Sequence, residues 1–357
     1  DYWVYTALTF LVISCPCALV LSVPLAFFSG IGNASRQGIL FKGGLAIEAL
    51  KNIKTIVMDK TGTITEGSFK VKEIQPTEKY SAEELLAYCA GAEKFSTHPI
   101  ANSIVNEAEY RQIELPKAAE NQEIAGEGLV CKINNKTIIC GNMRLMNRFN
   151  ITLPDNLPTY AGTEIFVAVD NEYAGFLIIG DTVKNDAKTT VRQLKSLGLT
   201  TAMLTGDNEH TAYAVANEIG IDKVHARLLP EGKLEKLSEL RREHGNVFFV
   251  GGGINDAPIL AGADVGAAMG TGADAAIEAA DVVFMNSKVR SILQAINISR
   301  DTLKIAWQNV VFAITVKVFI MLLGLMGYAS MWAAVFADTG VAMICILNSI
   351  RILYKKY

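Results

Sequence analysis

Asp59-Lys60-Thr61-Gly62-Thr63 places a carboxylate at the end of an apolar run, "IKTIVMDKTGTIT" (53–65), just before a flexible Thr/Gly loop. A carboxylate so placed suits nucleophilic attack on a phosphoryl group. Read alone, the string is also compatible with a surface turn, because Gly and Asp favour turns. Three later stretches supply what phosphoryl chemistry needs. Thr205-Gly206-Asp207 ends the apolar run "TTAMLTGDN", where a hydroxyl and backbone N–H groups can hold phosphate oxygens. Lys233, in "LLPEGK", brings a positive charge to a helix start, and Asn255 and Asp256 stand in "GGGINDAP". Nucleophile, threonine, lysine and aspartate in that order form a candidate phosphoryl-transfer site, with Lys60 and Thr61 in the loop beside the nucleophile.

These residues need strands to carry them. The stretches 53–65, 200–208 and 246–256 each read as an apolar strand running into a Gly/Asp loop, and 163–181 reads as two strands joined by a turn at Asp170-Asn171. Helical patterns lie between, over 186–197, 210–219 and 232–244. The alternation predicts an α/β fold, a parallel doubly wound sheet with its ligand at the carboxyl ends of the strands. Residues 77–179 interrupt it with a helix pattern at 81–92, another after His98-Pro99, and short strands. They read as an inserted α+β domain, flanked by 53–76 and 180–297 of the host domain.

The chain has 357 residues, 50% of them hydrophobic and 19% charged, with a net charge of −3. That charge does not suggest nucleic acid as a partner. Six cysteines in a chain this long are not a disulfide framework. Residues 2–31, 305–326 and 331–350 are each long and apolar enough to cross a bilayer. The first span and its connecting segment occupy 1–52, and the other two occupy 298–357. Lys and Arg cluster around 36–54, 300–304 and 351–356, whereas the turn near 327–330 has none. The positive-inside rule therefore puts the soluble part and the C-terminus in the cytosol, within a multi-pass protein of the cell membrane. The abrupt start at Asp1 reads as the start of a piece of something longer.

The order DKTGT, TGDN, GxGxND resembles the haloacid-dehalogenase-like phosphorylation domain of P-type ATPases. With Cys15-Pro16-Cys17 upstream of it, the chain resembles the heavy-metal-transporting members along its whole length. The resemblance implies that Asp59 becomes an aspartyl-phosphate and that the insert binds ATP. In that subfamily a Glu, a His-Pro dipeptide and a Gly-x-Gly pair hold the nucleotide; here these correspond to Glu93, His98-Pro99, Gly126 and Gly128. Asp59 and the backbone of Thr61 are implied Mg²⁺ ligands.

On a regular helix residues i and i+2 point about 200° apart, so Cys15 and Cys17 could not both face one ion. Pro16 and Pro24 each remove a backbone hydrogen bond, which predicts a kink or unwinding between them. Two thiolates there suit a soft or borderline metal such as Zn²⁺, Cd²⁺, Pb²⁺ or Cu⁺. Lys317 and Asp338 are costly inside a membrane, by roughly 2.5–3.5 kcal/mol each on insertion scales, so they need a role. Asp338 can add a hard oxygen ligand, and Lys317 can serve as its charge partner when metal is absent. A Lys in one span and Asp338-Thr339-Gly340 in the next resemble the zinc/cadmium/lead subgroup; a plain ion pair between helices is compatible with this.

Two departures stand out. The resemblance calls for Gly-Asp-Gly-x-Asn-Asp where the chain has Gly251-Gly252-Gly253-Ile254-Asn255-Asp256, so a Mg²⁺-binding carboxylate is missing at 252. The Thr-Gly-Glu loop of an actuator domain and the N-terminal membrane helices are also missing. The chain reads as a C-terminal half that should not pump without its N-terminal partner half. The rival readings are a copper exporter, a membrane-anchored phosphatase, and a catalytically impaired remnant.

Overall fold

In the computed structural model, which describes residues 4, 7, 11, 17–94, 96, 99–124, 126–154, 162–326, 328 and 331–357, two compact units separate. One comprises residues 1–63, 185–205 and 219–357, and the other residues 64–184 and 206–218.

The first unit is built on seven strands: β1 (Ile39–Phe41), β2 (Thr55–Asp59), β9 (Thr200–Leu204), β10 (Lys223–His225), β11 (Val247–Gly251), β12 (Val265–Met269) and β13 (Val282–Phe284). Their order is β1-β13-β12-β11-β2-β9-β10. All neighbours are parallel except β1 on β13. Every residue of β2, β11 and β12 is buried, which explains why these strands read as continuous apolar runs rather than alternating ones. Val57, Leu204, Phe249 and Ala268 pack with Leu237 and Leu240 of the helix Pro230–His244 and with Ile259 and Leu260 of Ala257–Gly262. β1 lies in the segment expected to be a mere connection. Its Ile39 and Phe41 are buried, so that segment joins the sheet edge.

Three helices of this unit are long and apolar enough to cross a membrane: Ala18–Arg36, Arg290–Leu325 and Trp332–Tyr354. The helix Cys17–Arg36 runs on through Pro24, so no unwinding is seen between Cys17 and Pro24; residues 12–16 lie outside the described residues. Buried amides and hydroxyls tie the spans together. Asn309 Nδ2 donates to Ser349 Oγ (2.8 Å) and to the Cys345 carbonyl (3.1 Å), and Ser349 Oγ donates to the Ser22 carbonyl (3.2 Å). Within an apolar medium such bonds substitute for the hydrophobic drive that helices lose there. The third span is interrupted by one π turn, Phe336–Gly340, which carries Asp338.

The second unit holds a six-stranded antiparallel sheet, in the order β3-β8-β7-β6-β5-β4. The strands are β3 (Thr65–Pro76), β4 (Ala118–Ile124), β5 (Gly128–Ile133), β6 (Lys136–Gly141), β7 (Thr163–Val169) and β8 (Glu172–Val183). The helices Ala82–Glu93 and Pro99–Tyr110 cover one face through Leu85, Leu86, Cys89 and Ile104. Leu145 and Met146 of the helix Met143–Arg148 cover the other. Ser81 starts the first helix with a capping box: its Oγ accepts from Glu84 N–H and its own N–H donates to Glu84 Oε2. Asp170 (φ 50°) and Asn171 (φ 63°) make the tight β7–β8 turn, both in the left-handed region that such hairpins require. The insert begins earlier and ends later than the sequence boundaries of 77 and 179. The reason is that β3 pairs along its length with β8, from Thr65↔Val183 to Pro76↔Gly175.

Candidate functional site

Asp59 is the last residue of β2, beside Leu204 of β9. Beyond it the chain turns at once. Thr61 (φ −76°, ψ 126°) and Gly62 (φ 72°, ψ −9°) have the dihedrals of a type II turn, whose third position needs the left-handed conformation that glycine accepts. The turn brings the Thr61 N–H back to Asp59 Oδ2 at 3.1 Å. Lys233 stands in the first turn of Pro230–His244, where Pro230 fixes the helix start. Its Nζ reaches Asp59 Oδ1 at 2.5 Å and Asp256 Oδ1 at 3.1 Å. Asp256 Oδ2 accepts from the N–H groups of Gly252 (3.1 Å) and Gly253 (2.9 Å). Thr205, buried at the end of β9, is held by its N–H on the His225 carbonyl and its own carbonyl on Leu228 N–H.

The electrostatics follow from this packing. Burial, and next the neighbouring Asp256, push the Asp59 carboxyl up to about 6, against the pull of Lys233. Burial alone would push the Lys233 ammonium down, but Asp59 and Asp256 outweigh it and hold it above its ordinary value. At neutral pH the arrangement is an ionised, desolvated carboxylate clamped by one cation and one backbone N–H. Such a group can attack an electrophile while Lys233 balances the charge that gathers on it.

The structure thus brings together Asp59, Lys233 and Asp256, with Thr61 on the turn and Thr205 on the adjoining strand. Lys60 is buried next to Asp59, whereas Asn255 is exposed on the loop after β11. Gly206 and Asp207 fall in the other compact unit.

A divalent cation at this site finds an incomplete donor set. Asp59 offers one carboxylate, Asp256 is engaged by three donors, and position 252 carries no side chain. Among the described residues no group of three or more His, Cys, Asp or Glu side chains could hold a metal ion. The residues present do not fit a full Mg²⁺ shell.

In the spans, Lys317 Nζ lies 3.6 Å from Asp338 Oδ1, and neither atom has a hydrogen-bond partner. Cys15 and the Cys17 side chain lie outside the described residues.

The second unit contains a cavity of about 230 Å³ lined by Glu93, Ser96, Glu123, Gly126, Gly128 and Asn142, among others. Three of the sequence-expected nucleotide residues meet there, and His98 lies outside the described residues. Gly128 lies where two backbones touch: it pairs with Gly141 of β6. Sequence reasoning missed Glu123 and Asn142. Asn142 Oδ1 caps the helix Met143–Arg148 while its Nδ2 donates to the Gly126 carbonyl (2.8 Å), fixing the glycine loop. An Asn directly before a helical pattern is the signal that could have found it. Glu123 carries no local signal; only the fold of β4 brings it to the cavity.

Residues 53–264 match the family described as haloacid dehalogenase-like hydrolase. The chain is similar to the cadmium, zinc and cobalt-transporting ATPase of Bacillus subtilis (strain 168), 48% identical over 99% of this chain and 51% of the relative. It is similar also to the zinc-transporting ATPase of Synechocystis sp. (strain ATCC 27184 / PCC 6803 / Kazusa), 47% identical over 98% of this chain and 49% of the relative. The crystal structure of a zinc-transporting PIB-type ATPase in its E2.Pi state superposes with a TM-score of 0.89 at 35% identity, over 99% of this chain and 58% of that one. The chain spans about half the length of the curated relatives it matches.

Proposed function

The chain belongs to the haloacid dehalogenase-like family, in its heavy-metal P-type ATPase branch, and from that premise we propose that it is the catalytic, C-terminal half of a pump exporting Zn²⁺, Cd²⁺ or Pb²⁺. The observation that carries the reading is Asp59 Oδ1 held 2.5 Å from Lys233 Nζ at the end of a buried strand, in the same compact unit as three membrane-length helices.

ATP binds by its base in the cavity around Glu93, Gly126 and Gly128, with His98. An Asp59 carboxylate oxygen attacks the γ-phosphorus, the bond to the bridging oxygen of ADP breaks, and ADP leaves. Lys233 balances charge on the acyl-phosphate, Thr205, Gly206 and Asp207 hold phosphate oxygens, and Lys60, Thr61, Asn255 and Asp256 frame the loop. Water later releases phosphate, a step that calls on the N-terminal half. Mg²⁺, which accompanies ATP, would have Asp59 and the Thr61 carbonyl from this chain and nothing from Gly252. That deficit also favours a second reading, a slow or impaired pump.

Cys15, Cys17 and Asp338 take up the ion, and Lys317 pairs with Asp338 when the ion has gone. A carboxylate beside thiolates favours a divalent ion over Cu⁺. The soluble parts and the C-terminus lie in the cytosol of a cell whose plasma membrane holds the spans.

The test is transfer of label from the γ-phosphate of ATP to the full-length protein, in the native form and with Gly252→Asp. An acid-stable, hydroxylamine-labile, Zn²⁺-dependent label that Asp59→Asn removes supports the reading. Label that survives Asp59→Asn, or that depends on Cu⁺ alone, refutes it.

A further inference from the structure

Glu93 is the last residue of its helix, and its environment is hostile to negative charge in three ways. It is 8% exposed. It sits at the helix C-terminus, where the backbone carbonyls present the negative end of the dipole. Glu123 of β4 lines the same cavity, and among the described lining residues there is no Lys or Arg. One group works the other way: the Ser96 hydroxyl donates to the Glu93 carboxyl. Cys131 of β5 and Cys140 of β6 belong to the buried core that this helix covers. Both are neutral thiols, Cys131 pushed up to about 11 chiefly by burial and Cys140 raised by its hydrogen bond with Cys89 and by burial. Glu127, also on the cavity wall, is paired with Arg148 at 3.2 Å. Burial first, then Glu123, push the Glu93 carboxyl up to about 7.

The protonation state changes what the pocket can recognise. A carboxylate only accepts hydrogen bonds; a carboxylic acid accepts at one oxygen and donates at the other. Adenine presents an amino donor, N6, beside a ring-nitrogen acceptor, which matches an acid. Guanine presents two acceptors on its O6/N7 edge and two adjacent N–H donors on its pairing edge. The latter match a carboxylate.

We propose that Glu123 is a positioning residue that keeps Glu93 in its acid form, so that the cavity selects an adenine over a guanine nucleotide. The proposal rests on the nucleotide-binding reading of the cavity. It adds a residue that no motif contains, and it makes the selectivity dependent on pH. A group that only shaped the wall would change both nucleotides' affinities equally at every pH.

The experiment measures ATP and GTP affinity of the full chain by calorimetry in detergent without Mg²⁺, from pH 5.5 to 8.5. The ratio of the two affinities is the readout, because the triphosphate titrates alike in both. Because ATP is matched by the acid and GTP by the carboxylate, the ratio follows the acid-to-carboxylate ratio of Glu93 and is expected to fall about tenfold per pH unit through about 7. Glu123→Gln should shift that fall to lower pH and weaken the preference at pH 7.5. Glu93→Gln, whose amide donates and accepts like the acid, should keep the preference and make it independent of pH. A fall unshifted by Glu123→Gln, or an ATP preference flat across the range, overturns the proposal. No binding of either nucleotide at any pH would instead overturn the nucleotide reading of the cavity.

Discussion

Gly128→Ala and Gly126→Ala test whether the Gly-x-Gly pair contacts the nucleotide through open space or holds the sheet together. Both glycines have positive φ, 74° at Gly126 and 144° at Gly128. Their surroundings differ. A Cβ at Gly126 meets nothing within 4 Å. At Gly128 it would lie 2.2 Å from the Cys140 carbonyl oxygen and 2.5 Å from Gly141 Cα, both backbone atoms. Gly126→Ala should therefore cost only the left-handed penalty, about 1–2 kcal/mol. Gly128→Ala adds to backbone strain of roughly 1–3 kcal/mol an overpacking term of similar size, because β5 and β6 must part. For a unit of this size each kcal/mol lowers the unfolding midpoint by roughly 4 °C. The assay is hydrogen exchange on the intact chain, read over β5 and β6, with nucleotide binding measured on the same samples. Gly126→Ala should keep strand protection and weaken nucleotide binding. Gly128→Ala should lose protection in both strands and lose binding as a consequence. Equal protection in the two variants would refute the close-approach argument and restore Gly128 as a simple contact residue.

Three other outcomes are expected. Phosphoenzyme formation should fall about tenfold per unit as pH drops below about 6, because the raised Asp59 carboxyl then takes up a proton, and Lys233→Met should move that limb to higher pH; a rate flat down to pH 5 would contradict it. Gly252→Asp should fold normally, since a Cβ there meets only Gly272 Cα at 3.6 Å and Met269 Cβ at 3.7 Å, and it should raise Mg²⁺-dependent phosphorylation; equal labelling in both forms would show that the missing carboxylate is immaterial. Asp338→Ala should abolish Zn²⁺ or Cd²⁺ binding, by metal stoichiometry and X-ray absorption on the full-length protein, while Lys317→Ala should impair release or turnover more than uptake; normal Zn²⁺ binding without Asp338, or sulfur-only Cu⁺ ligation, would turn the assignment to copper.

The sequence by itself determined the features whose signals are local. A buried parallel strand is a short apolar run, so β2, β9 and β11 could be read with their Gly/Asp loops attached. The turn after Asp59 is set by Gly62, which accepts the left-handed backbone conformation, and the spans by their lack of charge. Tertiary structure alone decided which distant groups meet. Lys233 reaches Asp59 across 174 residues, and Lys317 finds Asp338 only because two spans pack side by side. The extent of the insert is set by β3 pairing with β8, and its cavity acquires Glu123 by the register of β4 on β5. Pairing and register depend on side chains far apart in the chain filling one core, and no local spacing encodes that.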